Sequence, residues 1–196
     1  MAWLEVETKV KIPSDEVAGL RDRIKKIARF KKKGQKVDDY FAICFNDKYP
    51  KKAFRIRAMK DTFEITFKKW LRRYWTKEVV VKQEYEFKLK GKKEVENLLE
   101  LFRDLGFEEW VRKTKRNETY VYKKNDRINI EINYVKHLGY FMEIEYLATK
   151  SEMKSARNNI MRVLKELGIP KKWINNKGYT KMLWERGTLD KRKFIL

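Results

Sequence analysis

From Leu4 to Ile12, apolar and charged positions alternate. Leu4, Val6, Thr8, Val10 and Ile12 fall on one face, and Glu5, Glu7, Lys9 and Lys11 on the other. A period of two marks a strand with one apolar and one polar face. The same order, two acids then two bases at alternate positions, returns at Glu84, Glu86, Lys88 and Lys90. Each copy is followed by a helical stretch, which points to an internal duplication. Glu143 and Glu145 form a third alternating acidic pair. Further strand-like runs are 38–45, 53–58 with Arg55 and Arg57 on one face, 63–68, the long stretch 110–123, and Ile128, Ile130 and Ile132 alternating with Asn129, Glu131 and Asn133.

Helical spacing occurs at Val17, Leu20, Ile24, Ile27 and Ala28, with Ser14 as the expected N-cap and Lys31-Lys32-Lys33-Gly34 as the expected end. It recurs over 92–105, where Gly106 is the expected terminator, and from Met153 to Leu167, with Ser151 as cap and Gly168 and Pro170 as stop. Asn46-Asp47 is expected to begin a turn. Residues 70–76 read as an exposed loop, and 178–186 as a short helix.

Eight amphipathic strands with helices between and after them make an α+β protein. An antiparallel sheet usually turns its polar face to water. The helices, however, need the apolar face of the sheet for their own apolar stripes. If the sheet curls into an eight-stranded antiparallel β-barrel with the helices packed outside, the charged face points inward, and small barrels that enclose polar side chains do so to hold a ligand. Two carboxylates on one strand face, about 7 Å apart, repel each other unless a cation lies between them. With no linker or low-complexity segment, the chain reads as a single domain over 1–196. Residues 1–78 and 79–170 are the two halves of the pseudo-repeat, and 171–196 hold the short helix and a tail.

Charge sharpens the picture. The chain has 49 Lys and Arg against 28 Asp and Glu, a net +21 over 196 residues, which implies a polyanionic partner. Its single cysteine, Cys44, excludes an intrachain disulfide, and its single histidine, His137, excludes a multi-histidine metal site. Any metal must then be held by carboxylates, which favours Mg²⁺, Mn²⁺ or Ca²⁺. With no secretory or membrane-spanning pattern and one cysteine, a cytoplasmic location is expected.

The motifs then acquire a name. Glu5-x-Glu7-x-Lys9 resembles the E-x-E-x-K signature of the CYTH superfamily, the triphosphate tunnel metalloenzymes. Asp38-x-Tyr40-Phe41, Phe54-Arg55-Ile56-Arg57, Ile65-Thr66-Phe67-Lys68, Lys82-x-Glu84-x-Glu86, Lys113-x-Lys115 and Leu138-Gly139-Tyr140-Phe141-Met142-Glu143-Ile144-Glu145 are similar to that family's later motifs, in the family's order. Three positions depart from the pattern: Asn133 stands where an aspartate is usual, Lys69-Trp70 replaces a glycine-proline, and Gly178-Tyr179 replaces a serine-tyrosine. The resemblance implies an eight-stranded tunnel in which Glu5, Glu7, Glu84, Glu86, Glu143 and Glu145 hold Mg²⁺ or Mn²⁺. Lys9, Lys11, Arg55, Arg57, Lys68, Lys82, Lys113 and Lys115 would bind a triphosphate, with Glu5, Glu7 and Lys9 at the reacting centre.

The leading expectation is a metal-dependent phosphohydrolase acting on inorganic triphosphate or an organic triphosphate such as thiamine triphosphate or a nucleotide. A class IV adenylate cyclase uses the same kind of tunnel to make cyclic AMP. A third reading is a non-catalytic module for polyphosphate or RNA ends, with Trp70, Arg72, Arg73 and Trp75 as a contact surface. The sequence favours a small triphosphate over nucleic acid as partner, expects no membrane association, and leaves monomer and homodimer both open.

Overall fold

The computed structural model describes residues 3–45 and 48–188. Its strands are β1 (Leu4–Lys11), β2 (Ala28–Ala42), β3 (Phe54–Ala58), β4 (Thr62–Trp70), β5 (Val80–Lys90), β6 (Glu108–Tyr122), β7 (Ile128–Val135) and β8 (Gly139–Ala148). Four helices accompany them: α1 (Val17–Ile27), α2 (Lys92–Asp104), α3 (Met153–Glu166) and α4 (Tyr179–Glu185). The strands close into an antiparallel barrel in the order β1-β5-β4-β3-β2-β6-β7-β8. No helix among the described residues is long and apolar enough to cross a membrane.

Two compact units make up the chain. The first comprises the chain through Gln35, Lys69–Gln83 and Lys115–Lys177. Within it β1 runs antiparallel to β8 along its whole length, from Leu4 opposite Ala148 to Lys11 opposite Phe141. β7 pairs with β8 on one side and with β6 on the other. Leu4, Val6, Val10 and Ile12 meet Leu20 and Ile24 of α1 and Ile160, Val163 and Leu164 of α3 in one apolar core. The opposite face of β1 is enclosed as well: Glu5, Glu7 and Lys9 are only 5%, 4% and 2% exposed. The polar face that would ordinarily meet water is therefore inside.

The second unit comprises Lys36–Lys68, Glu84–Thr114 and the chain from Gly178. β3 lies between β2 and β4, with Ile56 opposite Asp39 on one side and Ile65 on the other. α2 lays Phe102 on Phe41, Ile56 and Ile65, with Phe54, Leu98 and Leu99 around them. Gly106, at φ 78°, ends α2 in the left-handed region, where a side chain would be strained.

Several expectations are corrected. α1 stops at Ile27, and Lys31, Lys32, Lys33 and Gly34 lie in β2. The lysines are good helix formers, but long-range contacts override them: the Lys123 amide donates to the Ile27 carbonyl at 3.0 Å or less (2.9 Å), and Phe30 packs edge-on against Tyr120. β2 begins at Ala28 and ends at Ala42, short of residue 45. Ser14 is not the cap of α1: it opens a short 3-10 turn, and the N-cap position of α1 is Glu16, which makes no side-chain cap bond. Thr149, not Ser151, caps the helical segment leading into α3 through a reciprocal box with Glu152. The 70–76 stretch is not simply an exposed loop: Trp70 ends β4, and Leu71, Tyr74 and Trp75 pack on the core. The turn expected at Asn46-Asp47 lies outside the described residues.

Candidate functional site

In the first unit, the buried face of β1 carries Glu5, Glu7 and Lys9 into a cluster built with β5, β6, β7 and β8. Strand alternation aims these three side chains alike, and the register places Glu5 opposite Lys82, Lys9 opposite Glu143, and Glu7 opposite Glu145. The Lys82 ammonium lies 3.5 Å from Glu5 Oε1 and also contacts Glu7. Lys115 Nζ lies 3.1 Å from Glu131 and 3.3 Å from Glu143. Asn133 donates its amide to Glu143 at 2.8 Å, and Thr119 donates to Glu131 at 3.0 Å. An aspartate at 133 could not make that donation while ionised, so the departure at this position converts a repulsive neighbour of Glu143 into a hydrogen-bonding one.

Lys9 is held from two directions. Its ammonium donates to the Lys177 carbonyl at 2.8 Å, and its backbone amide donates to Asn176 Oδ1 at 2.8 Å. β5 covers the edge of β1 from Leu4 to Glu7. Beyond Glu7 that edge is taken by residues 174–176: Val10 bridges to Ile174, and the Asn175 amide donates to the Lys9 carbonyl at 2.8 Å. Lys11 is exposed and turns elsewhere, bonding the Leu138 carbonyl and lying 4.4 Å from the Phe141 ring centre.

Electrostatics divide the carboxylates. Burial pushes the Glu7 carboxyl up to about 7; Lys82 opposes the shift, while Glu5 and Glu143 add to it. Glu143 goes the other way: burial acts to raise it, but Lys115 and Lys9 together hold it below the ordinary value. Two buried carboxylates, one raising the other in this way, are an arrangement that a bound cation would relieve.

The second unit carries its own cluster. Arg57 Nε lies 2.6 Å from Asp38 Oδ1, and Lys113 Nζ lies 2.8 Å from Asp38 Oδ2. Arg55 reaches Glu64 at 2.5 Å and Thr66 at 2.6 Å, and Arg57 reaches Glu64 at 3.3 Å. Lys113 also donates to the Tyr40 hydroxyl at 3.0 Å. Burial alone would raise the Asp38 carboxyl, but Lys113 and Arg57 outweigh it and hold it well below the usual carboxylate range. Lys68 pairs with Glu84 on neighbouring β5, whereas Glu86 is exposed.

The structure thus brings Glu5, Glu7, Lys9, Lys82, Lys115 and Glu143 into one cluster, with half-buried Glu145 opposite Glu7 on β8. It brings Arg55, Arg57 and Lys113 into another. Sequence reading missed Glu131, Thr119 and Asn176 as partners. Glu131 had a signal, because it alternates with the buried isoleucines of β7; Asn176 had none, because its partner is 167 residues away.

The donor set suits a hard divalent cation. Every acidic group here offers oxygen, and Lys82 already stands as a positive charge against Glu5 and Glu7. Asn117 and Asn133, opposite each other on β6 and β7, each keep a buried carbonyl oxygen with no hydrogen-bond partner. Among the described residues, no three acidic, histidine or cysteine groups already converge as a metal cage. Glu5 and Glu7 are instead drawn to Lys82, and Glu131 and Glu143 to Lys115.

A closed eight-stranded antiparallel barrel with helices and buried acid–base clusters is a tunnel-type fold. The chain belongs to the CYTH domain family, whose pattern it matches over residues 4–179. It is similar to the PH1819 protein from Pyrococcus horikoshii OT3, at 26% identity and TM-score 0.73, over 93% of this chain and 99% of that one. A protein from Vibrio parahaemolyticus assigned as an adenylate cyclase shares the fold at 12% identity and TM-score 0.68, over 93% and 99% of the two chains. HpAC1 from Hippeastrum, an adenylyl cyclase by assignment described as having a dominant triphosphatase activity, shares it at 16% identity and TM-score 0.57, over 94% and 97%. Comparison with curated proteins gave no match.

Proposed function

We propose that this protein is a divalent-metal-dependent triphosphatase that removes a terminal phosphate from a triphosphate-bearing substrate. The observation that carries this reading is the enclosed charged face of β1. Burying ion pairs is a poor way to stabilise a fold, because desolvation offsets the attraction. A chain that nonetheless buries Glu5, Glu7, Lys9, Lys82 and Lys115 is holding charge in readiness for a charged ligand. Family membership and the triphosphatase activity described for HpAC1 support the same conclusion.

The residue roles follow from charge and position. Arg55, Arg57 and Lys113 offer guanidinium and ammonium groups to phosphate oxygens; Arg is suited to this because its planar fork matches two oxygens at once. Lys9, Lys82 and Lys115 neutralise the charge that builds on the phosphoryl and leaving groups. Glu5, Glu7, Glu143 and Glu145 would hold Mg²⁺ or Mn²⁺, which when bound supplies Lewis-acid polarisation of the phosphates. Water attacks the terminal phosphorus in line, the bond to the bridging oxygen breaks, and the leaving phosphates depart with the bridging oxygen's electrons. The water's proton passes to the Glu5–Glu7 pair.

The direct test is phosphate release from tripolyphosphate and from ATP with Mg²⁺ and with Mn²⁺, with cyclic AMP measured in parallel. Phosphate release that is abolished by EDTA and reduced at least 100-fold in Glu5→Gln supports the reading. Cyclic AMP as the main product would replace it with the cyclase, and binding without turnover would replace it with the binding module.

A further inference from the structure

We propose that Trp70 is the platform on which an aromatic substrate group stacks, so that the preferred substrate is a triphosphate carrying a ring, with the nucleoside triphosphates as the class, and not inorganic triphosphate. This deepens the triphosphatase reading and rests on it. Along β4, Glu64, Thr66, Lys68 and Trp70 fall on one strand face by the period of two. Trp70 therefore continues the face that presents Lys68 to Glu84. Its indole lies against the candidate site: the Lys82 ammonium sits over the ring, 4.8 Å from its centre, and the same ammonium contacts Glu5 and Glu7.

The ring's surroundings distinguish a platform from a core residue. Lys82 is enclosed, with 7% of its side chain exposed, yet Trp70 keeps 38% of its surface open. The indole thus stands between the buried charge and the solvent. It is also held still. Trp75 meets it edge-on at 5.3 Å, with Arg72 lying over Trp75, 5.7 Å from its ring centre. Trp75 is anchored by its indole N–H to the Val81 carbonyl at 3.1 Å. The backbone on either side is tied to β5, with Leu71 N–H bonded to Val81 and Thr76 N–H to Val79, both at 2.9 Å. Arg157 of α3 also bonds the Tyr74 carbonyl. The fold thus holds a partly exposed indole in place beside a lysine of the candidate site. Such an indole loses little entropy when a flat ring stacks on it, and its electron-rich face suits a nucleobase.

The experiment compares wild type, Trp70→Ala and Trp70→Phe with ATP and with tripolyphosphate, measuring equilibrium binding and kcat/KM for each. Base stacking on a tryptophan is worth about 1–3 kcal/mol by alanine substitution, or roughly five- to 150-fold. Trp70→Ala is expected to weaken ATP binding and raise its KM by about tenfold or more, while tripolyphosphate changes by less than about threefold. Trp70→Phe, which keeps an aromatic face, is expected to recover most of the loss, and melting curves confirm that the variants are folded. Equal losses with both substrates would overturn the proposal, since Trp70 would then act only by packing on Lys82. So would unchanged ATP affinity in Trp70→Ala, or a wild type that prefers tripolyphosphate. A wild type that neither binds nor cleaves either compound would instead remove the triphosphatase reading, and this proposal with it.

Discussion

Replacing Glu7 by glutamine should make the metal-free protein more stable at alkaline pH while removing its activity. Folding raises the Glu7 carboxyl from an ordinary 4.5 to about 7, first through burial and then through repulsion from Glu5 and Glu143. A raised carboxyl contributes stability in its protonated form. That contribution is fully present below about pH 4.5 and is lost as the pH climbs through 7. The interval between those values, at about 1.4 kcal/mol per pH unit, amounts to a cost of about 3 kcal/mol for the ionised side chain at pH 8. Glutamine has nearly the same shape and no charge, so it escapes this cost, and Lys82 retains Glu5 as its partner. For a chain of this length the gain corresponds to a Tm rise on the order of 10 °C at pH 8.

The assay is thermal or urea unfolding of wild type and Glu7→Gln in EDTA at pH 5 and pH 8. The two curves should nearly coincide at pH 5 and separate at pH 8, with the variant the more stable. Asp38 and Glu143 act in the opposite sense, because their depressed carboxyls lose stability as the pH falls, but both proteins contain them and their effect cancels in the difference. Mg²⁺ should then stabilise the wild type more than the variant, and turnover should fall by orders of magnitude in the variant. A variant less stable than wild type at pH 8, or a stability difference that is the same at both pH values, would show that ionised Glu7 does not destabilise the metal-free fold.

Three further outcomes are expected. Arg57→Lys keeps the charge but loses the fork that spans Asp38 and Glu64, and it should raise the KM for tripolyphosphate about tenfold; exposed Arg72→Ala should stay within twofold, and a comparable loss there would point to a surface patch. Asn176→Ala removes the acceptor for the Lys9 amide and the donor to the Glu78 carbonyl, and it should cost about 1–3 kcal/mol in urea melts and lower kcat. Asn176→Asp keeps the acceptor and should retain more activity; equal damage in the two variants would deny Asn176 its role in positioning Lys9. His137 sits at φ 68° in the turn before Gly139, so His137→Gly should melt no lower than wild type and leave turnover and metal dependence unchanged; loss of activity in the folded variant would return the histidine to the site.

Local alternation made most of the strands legible, and with them the charges that share a face. The alternation through Leu4, Val6, Val10 and Ile12 dictates that Glu5, Glu7 and Lys9 point together, because strand geometry is local and has a period of two. The order of seven short motifs likewise carried the family. Where those faces go and what they meet depends on contacts between distant parts of the chain. Nothing in β1 alone states that its charged side is enclosed; closure of the barrel does that. The partners of the charges, Glu131 and Asn133 around Glu143 and Lys115, and the 174–177 segment on Lys9, come from pairings distant in sequence. The same cause ended α1 at Ile27 and turned a lysine run into strand. It also extended β4 to Trp70, packed Trp75 against the core and set an indole over Lys82. Local periodicity sets the direction of a side chain, whereas burial and charge pairing depend on surfaces that only non-local contacts bring together.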